Sequence, residues 1–311
     1  MDRRHFLGML GAASGGVAAL ASAVPGFTVA SSRVTTHSSA RTSMPAIYKA
    51  VKYDMVRVEG SVQDKFMLLA ELGFDGVEMG SPNDLVQEEV VAASRTVGLP
   101  IHGIVDMVHW NKTLSDPDPA VREEGLEGLR IALQDAAAYG ASTVLLVPAV
   151  VQENVSYDDA WQRSQAEIRK VLPEASSLGI RIAIENVWNN FLMSPLEFAR
   201  YIDEFESDWV GAYFDIGNVI TFGWPEHWIR ILGDRILKLD VKEFSRRKRN
   251  EEGMYDGFNV PLGEGDVNWP AVREHLAAIG FTGWATAEIP GGDRERLEEI
   301  AWRMDRVLYP S

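Results

Sequence analysis

Four stretches decide how this chain is read: RIAIE (residues 181–185), VGAYFD (210–215), ILKLD (236–240) and WATAE (284–288). Each is a short, mostly apolar run that closes on a carboxylate, namely Glu185, Asp215, Asp240 and Glu288. Runs of this length and composition read as buried strands. In a parallel α/β barrel every strand ends at the same rim, so residues far apart in sequence converge on one pocket there. A single Asp or Glu in such a place can equally cap the helix that follows. Four at corresponding places look like one metal-centred site.

Outward from these four, the pattern repeats. Further strand candidates lie at 47–54, 74–79, 99–105 and 142–148, and with 180–185, 209–215, 236–241 and 283–289 they make eight. Amphipathic, helix-like segments alternate with them near 61–72, 83–97, 118–139, 157–178, 194–205, 225–233, 269–279 and 292–308. Strand then helix, eight times over, is a (β/α)8 TIM barrel, a single domain spanning residues 45–311. Glycine follows four of the helices, in LG at 72–73, YG at 139–140, LG at 178–179 and IG at 279–280, where a left-handed residue ends a helix. Asp158 and Ser194 are expected as helix N-caps.

Composition narrows the function classes. A chain of 311 residues, 46% hydrophobic and with 9 Trp, can bury a barrel-sized core. Its net charge of -15 and pI near 4.9 speak against a nucleic acid or an anionic membrane surface as partner, both of which reward a basic footprint. With no cysteine, disulfides, thiolate metal ligands and cysteine nucleophiles are excluded.

The N-terminus has a different character. MDRRHFLGML carries Arg3 and Arg4 ahead of an Ala/Gly/Val/Leu stretch running to about Ala23, which reads as a twin-arginine export signal over residues 1–30. The apolar part falls short of the ~20 strongly apolar residues of a stable span, and ASA at 21–23 or TVA at 28–30 resembles a cleavage site. Residues 31–44, SSRVTTHSSARTSM, read as a polar linker. The expectation is a protein handed to the twin-arginine machinery and located in the periplasm or outside the cell, with no membrane span after cleavage.

FDGVEMGSP (74–82), IHGIVDMVHW (101–110), the run from Leu114 to Val151, IAIENVW (182–188), YFDIGN (213–218), PLGEGDVNW (261–269) and AEIPGGD (287–293) together resemble the sugar phosphate isomerase/epimerase family, with its xylose-isomerase-like barrel. The likeness runs from about residue 47 to the C-terminus. It implies a divalent ion held by a Glu, an Asp, a His and a second Glu, and Glu185, Asp215 and Glu288 match three of those positions. The fourth departs: where relatives often carry His in an H-x-K-D run, this chain reads Asp240-Val241-Lys242-Glu243. An all-oxygen donor set favours Mn²⁺ or Mg²⁺ over zinc. Four carboxylates around one dication leave excess negative charge, and Lys242, on the same strand face as Asp240, is the expected compensator.

The chemistry expected of such a site is proton transfer. An ion chelated by a keto sugar acidifies the C–H beside the carbonyl, and a carboxylate removes that proton to give an enediolate. Glu185 and Glu288 are the candidate bases, working on opposite faces of the sugar as the resemblance implies. Glu78, His102, His109, Trp110, Trp188 and Asn218 are candidate substrate contacts, Asn218 standing where relatives carry His. Trp224 is a further rim tryptophan, and the charged loop 244–254 with Arg246, Arg247, Lys248 and Arg249 offers either a solvated surface or a grip on an anionic substituent. Three functions stay open: a metal-dependent sugar isomerase or epimerase, acting as a monomer or homo-oligomer; a keto-sugar lyase or dehydratase on the same centre; and a non-catalytic carbohydrate-binding barrel.

Overall fold

The computed structural model describes residues 47–309, so the expected export signal at 1–30 and the linker at 31–44 lie outside the described residues. Eight parallel strands close in sequence order, the last pairing with the first: β1 (Ile47–Lys52), β2 (Gly76–Ser81), β3 (Ile101–Asp106), β4 (Thr143–Leu146), β5 (Arg181–Glu185), β6 (Val210–Asp215), β7 (Ile236–Val241) and β8 (Gly283–Ala287). The chain is a (β/α)8 TIM barrel. The helices are α1 (Val62–Glu71), α2 (Gln87–Val97), α3 (Pro119–Tyr139), α4 (Tyr157–Leu178), α5 (Pro195–Asp203), α6 (Pro225–Leu232), α7 (Arg246–Glu251), α8 (Trp269–Ala278) and α9 (Arg294–Leu308). Strands covered on both faces carry apolar residues at every position rather than every second one, and β6 is buried throughout.

Two apolar layers result. The larger lies between strands and helices. The smaller, inside the barrel, holds Leu145, Ala183 and Tyr213 with Val105 and Leu237 against them. Gly73, Gly140, Gly179 and Gly280 all have φ between +68° and +80°, the left-handed geometry that ends a helix. Ser194 caps α5 in a reciprocal capping box with Glu197. The cap of α4 is Ser156 rather than Asp158: the Ser156 side chain accepts from the Asp159 amide, and its hydroxyl donates to Asp158, which sits inside the first turn.

The segment 244–254 also departs from the loop reading. Ser245 caps the short helix α7 there. A second local feature positions a functional loop: a Cβ on Gly128 of α3 would sit 2.1 Å from Val108 Cγ2, and one on Gly125 would sit 2.1 Å from the Lys112 carbonyl oxygen. Two glycines in mid-helix therefore let the β3–α3 loop, with His109 and Trp110, lie directly on α3.

Candidate metal centre

Glu185 and Asp215 are the last residues of β5 and β6, Asp240 is the penultimate residue of β7, and Glu288 directly follows β8. Register brings Asp215 opposite Asp240. The consequence of barrel closure is that each of the four offers a carboxylate oxygen within 4.8 Å of the others. Glu185, Asp215 and Asp240 are buried, while Glu288 opens toward the mouth. Glu185 Oε1 and Asp240 Oδ1 are buried without a hydrogen bond among the described residues, while Asp215 Oδ2 and Glu288 Oε2 share Lys242 as their neighbour. Buried carboxylate oxygens are costly unless paired, and four converging carboxylates, two of them with an unpartnered buried oxygen, fit a divalent cation that takes oxygen ligands.

Two lysines stand in the cluster. Lys242 Nζ lies 2.8 Å from Asp215 Oδ2 and 2.5 Å from Glu288 Oε2. Lys52, at the end of β1, lies 3.2 Å from Asp240 Oδ2, 3.0 Å from Glu288 Oε1 and 3.6 Å from Glu78 Oε2. Burial works to lower both ammonium pKa values, but the carboxylates outweigh it and raise both. Burial and the neighbouring Glu288 charge push Glu185 well up. Burial would raise Glu288 too, yet Lys242 and Lys52 prevail and hold it low. The two glutamates thus sit in opposite electrostatic environments.

A shell of hydrogen bonds orients these groups. The Asn186 side chain accepts from the Asp215 amide at 2.8 Å and donates to the Asp215 carbonyl at 2.9 Å, tying the ends of β5 and β6 together. The Asn218 amide donates to Asp215 Oδ1 at 2.8 Å, and its side chain donates to the Asn186 carbonyl at 3.0 Å. Glu243, buried just beyond β7, accepts from the amides of Phe244, Gly263 and Val267 and from Trp269 Nε1. It clasps the GEGDVNW segment against the barrel, and a Cβ on Gly265 would come within 2.5 Å of Glu243 Oε1.

The family model described as xylose isomerase-like TIM barrel matches residues 66–306. The chain belongs to the xylose isomerase-like TIM barrel family. Among curated proteins it resembles the L-ribulose-5-phosphate 3-epimerase UlaE of Salmonella heidelberg (strain SL476), 27% identical over an alignment of 251 residues, gaps included, that covers 74% of this chain and 84% of the relative. Among solved structures, the 3-keto-D-glucoside 4-epimerase YcjR from E. coli superposes with a TM-score of 0.68 at 18% identity, covering 83% of this chain and 98% of that one. The D-allulose 3-epimerase from Methylomonas sp. gives 0.70 at 17%, covering 85% and 99%. These two structural likenesses speak for the fold.

In this xylose isomerase-like barrel the other expected site residues divide. A cavity of about 1040 Å³ opens over the carboxylates, and Glu78, His109, Trp110, Trp188, Asn218 and Lys242 line it together with Lys52. His109 Nδ1 accepts from the Val147 amide at 3.2 Å, which leaves the ring proton on Nε2. Burial, with the Lys52 charge, lowers its pKa to about 3, so the ring is neutral. His102 does not line the cavity. It is the second residue of β3, near the strand's start, with Nδ1 3.0 Å from Lys238 Nζ, Nε2 3.1 Å from Thr286 Oγ1 and its ring stacked on Trp284. A β-bulge between Val77 and Glu78 shifts the β2–β3 register at that level.

Trp188 donates from Nε1 to the Asn218 carbonyl. Trp224 lies under the Arg246 guanidinium instead of facing the cavity. The basic run is a structural clamp: Arg246 donates to the carbonyls of Ile220 and Gly223, Arg249 to Thr221, and Lys248 to Asn259. Sequence reasoning missed Lys52, Asn186 and the clasp role of Glu243. Lys52 closes the IYKAVK run just as the carboxylates close theirs, and that parallel was the available signal.

Proposed function

We propose that this chain is a keto-sugar epimerase or isomerase whose divalent ion, Mn²⁺ or Mg²⁺, is held by Glu185, Asp215, Asp240 and Glu288. It is an isomerase-class enzyme, and its curated relatives of comparable length are sugar epimerases. The observation that carries the reading is the convergence of four carboxylates within 4.8 Å, with Glu185 Oε1 and Asp240 Oδ1 buried and lacking a hydrogen bond among the described residues. When bound, the ion polarises a substrate carbonyl and acidifies the neighbouring C–H.

The chain's own groups do the rest. Glu185 from β5 and Glu288 beyond β8 reach the centre from different sectors of the rim, so one can take the proton from one face of the sugar and the other return it to the opposite face. The carbon beside the carbonyl is inverted through an enediolate. Lys52 and Lys242 balance the charge of the cluster and donate toward oxygens gathering charge in the transition state. His109, neutral and with its proton on Nε2, donates to a sugar hydroxyl, and Trp110 covers the sugar's apolar face.

A panel of keto sugars incubated in D₂O with the purified protein and Mn²⁺ tests this by NMR. A deuterated stereoisomer is expected, and its formation should stop in Glu185→Gln. Release of water or a fragment would make the protein a lyase on the same centre, and undiminished turnover in Glu185→Gln would overturn the assignment of that base. Export is a separate part of the proposal: replacing Arg3 and Arg4 with Lys should retain the protein in the cytoplasm, and unchanged secretion would remove the twin-arginine route.

A further inference from the structure

The cavity continues well beyond the carboxylates. At about 1040 Å³ it lies just above the roughly 300–1,000 Å³ that holds drug-sized ligands, more than a lone pentose or hexose requires. Its outward direction is marked by aromatic rings in contact. Lys242 Nζ lies 5.5 Å from the centre of the Phe258 ring, Phe258 lies 4.9 Å from Trp188, and Trp188 lies 5.4 Å from Tyr255. All four residues line the cavity. The series begins on a lysine that touches two of the candidate ligands and ends on Tyr255, which is 71% exposed.

An exposed tyrosine backed by a tryptophan, at the mouth of a polar site, is a stacking surface for a ring that the charged centre itself cannot reach. The wall is held in place: Phe258 and Trp188 both pack on Phe244, and Lys248 of α7 donates to the Asn259 carbonyl just after the wall. Along this wall no basic side chain other than Lys242 lines the cavity, and Arg246 and Arg249 are bound to backbone carbonyls elsewhere. The cavity's other bases, Lys52, Arg57 and Lys65, lie at the end of β1, in the β1–α1 connection and in α1.

We infer that the wall of Phe258, Trp188 and Tyr255 is a second subsite for a ring joined to the reacting sugar, so that the substrate class is a keto-glycoside, with its ketone on a ring carbon and an aryl or second-sugar aglycone on the anomeric oxygen, rather than a free or phosphorylated ketose. This rests on the sugar-epimerase reading for the identity of the inner subsite. The ring stacks on Tyr255 and Trp188 while the reacting sugar sits over the carboxylates. Either kind of aglycone presents a face of low polarity, which is the chemistry the wall recognises.

Calorimetric titration of the Mn²⁺-loaded protein with methyl β-D-glucoside, 4-nitrophenyl β-D-glucoside, cellobiose and glucose 6-phosphate tests it. One or both ring-bearing probes should bind at least tenfold more tightly than the methyl glucoside, and whether the aryl or the sugar probe leads identifies the aglycone. Tyr255→Ala should remove most of that advantage, Tyr255→Phe should keep it, and neither should change the affinity for the methyl glucoside. Equal affinity for all glucosides, no binding of the ring-bearing probes, or an advantage that survives Tyr255→Ala overturns the inference. So does a preference for glucose 6-phosphate that is lost in Arg57→Ala. Because these are binding measurements, the expected pattern without epimerisation of any keto sugar would sink the epimerase reading and leave the subsite standing.

Discussion

Lys52 at the end of β1 and Asp240 near the end of β7 are 188 residues apart in sequence and meet at 3.2 Å inside the barrel mouth. The pair is buried, and the same ammonium lies 3.0 Å from Glu288. Removing one partner of a buried pair strands the other charge and typically costs about 3–5 kcal/mol. Lys52→Met, which keeps the apolar stem, should therefore lower the unfolding free energy measured by urea titration by an amount in that range. Lys52→Met with Asp240→Asn should cost less than the sum of the two single changes. Strict additivity would show that the two residues are not coupled.

Stripping divalent ions with EDTA should lower the melting temperature and abolish turnover, and Mn²⁺ or Mg²⁺ should restore both. Ligand at a hundred times its Kd stabilises the folded state by about 2.7 kcal/mol, enough to be read by calorimetry. Glu185→Gln and Asp215→Asn should each weaken Mn²⁺ binding by more than about 100-fold. Unchanged affinity in either variant would remove that residue from the ligand set.

Asp106, at the end of β3, is buried with Oδ1 accepting from the Val108 amide and Oδ2 unpaired among the described residues. Burial raises its pKa from 3.8 to about 7 against the smaller lowering by the Val108 bond. The folded state thus keeps a proton that the unfolded chain releases, and stability falls as pH rises from about 4 to about 7. The full effect is at most about 4 kcal/mol, at 1.36 kcal/mol per unit. His109, lowered to about 3, acts in the opposite sense between about pH 3 and 6.5, so the comparison must be made against a variant. Asp106→Asn should be more stable than wild type at pH 8, and the gap should close toward pH 4. A gap independent of pH would refute the shifted carboxyl.

Gly128→Ala offers a case where helix propensity and packing disagree. Propensity favours Ala in a helix by about 1 kcal/mol, but the new methyl would meet Val108 Cγ2 at 2.1 Å. Overpacking of this kind costs about 1–3 kcal/mol, so a net loss of stability is expected. The β3–α3 loop should shift with it, reported by the fluorescence of half-exposed Trp110 and a raised KM. A more stable variant with unchanged KM would show that the loop does not rest on α3 as described.

The sequence by itself determined the eight strand–helix repeats and the four carboxylates at strand ends, because both depend on patterns within a few residues. Apolar runs mark strands buried on two faces, and a glycine after a helix marks its left-handed end. Only the tertiary structure decided which polar residues share the rim. Lys52 and Glu288 become neighbours because β8 closes onto β1, a pairing no local pattern contains. His102 lies near the start of its strand and so falls in the barrel interior beside Lys238 and Thr286, while His109, in the loop beyond, reaches the cavity. Glu243 acquires its role from a segment some twenty residues further on that folds back over it. Arg246 and Arg249 of α7 went to backbone carbonyls because the β6–α6 loop came within their reach, which charge counting cannot foresee. Strand identity is a local property of the chain, whereas the depth, facing and partners of each polar side chain are set by register and closure of the whole barrel.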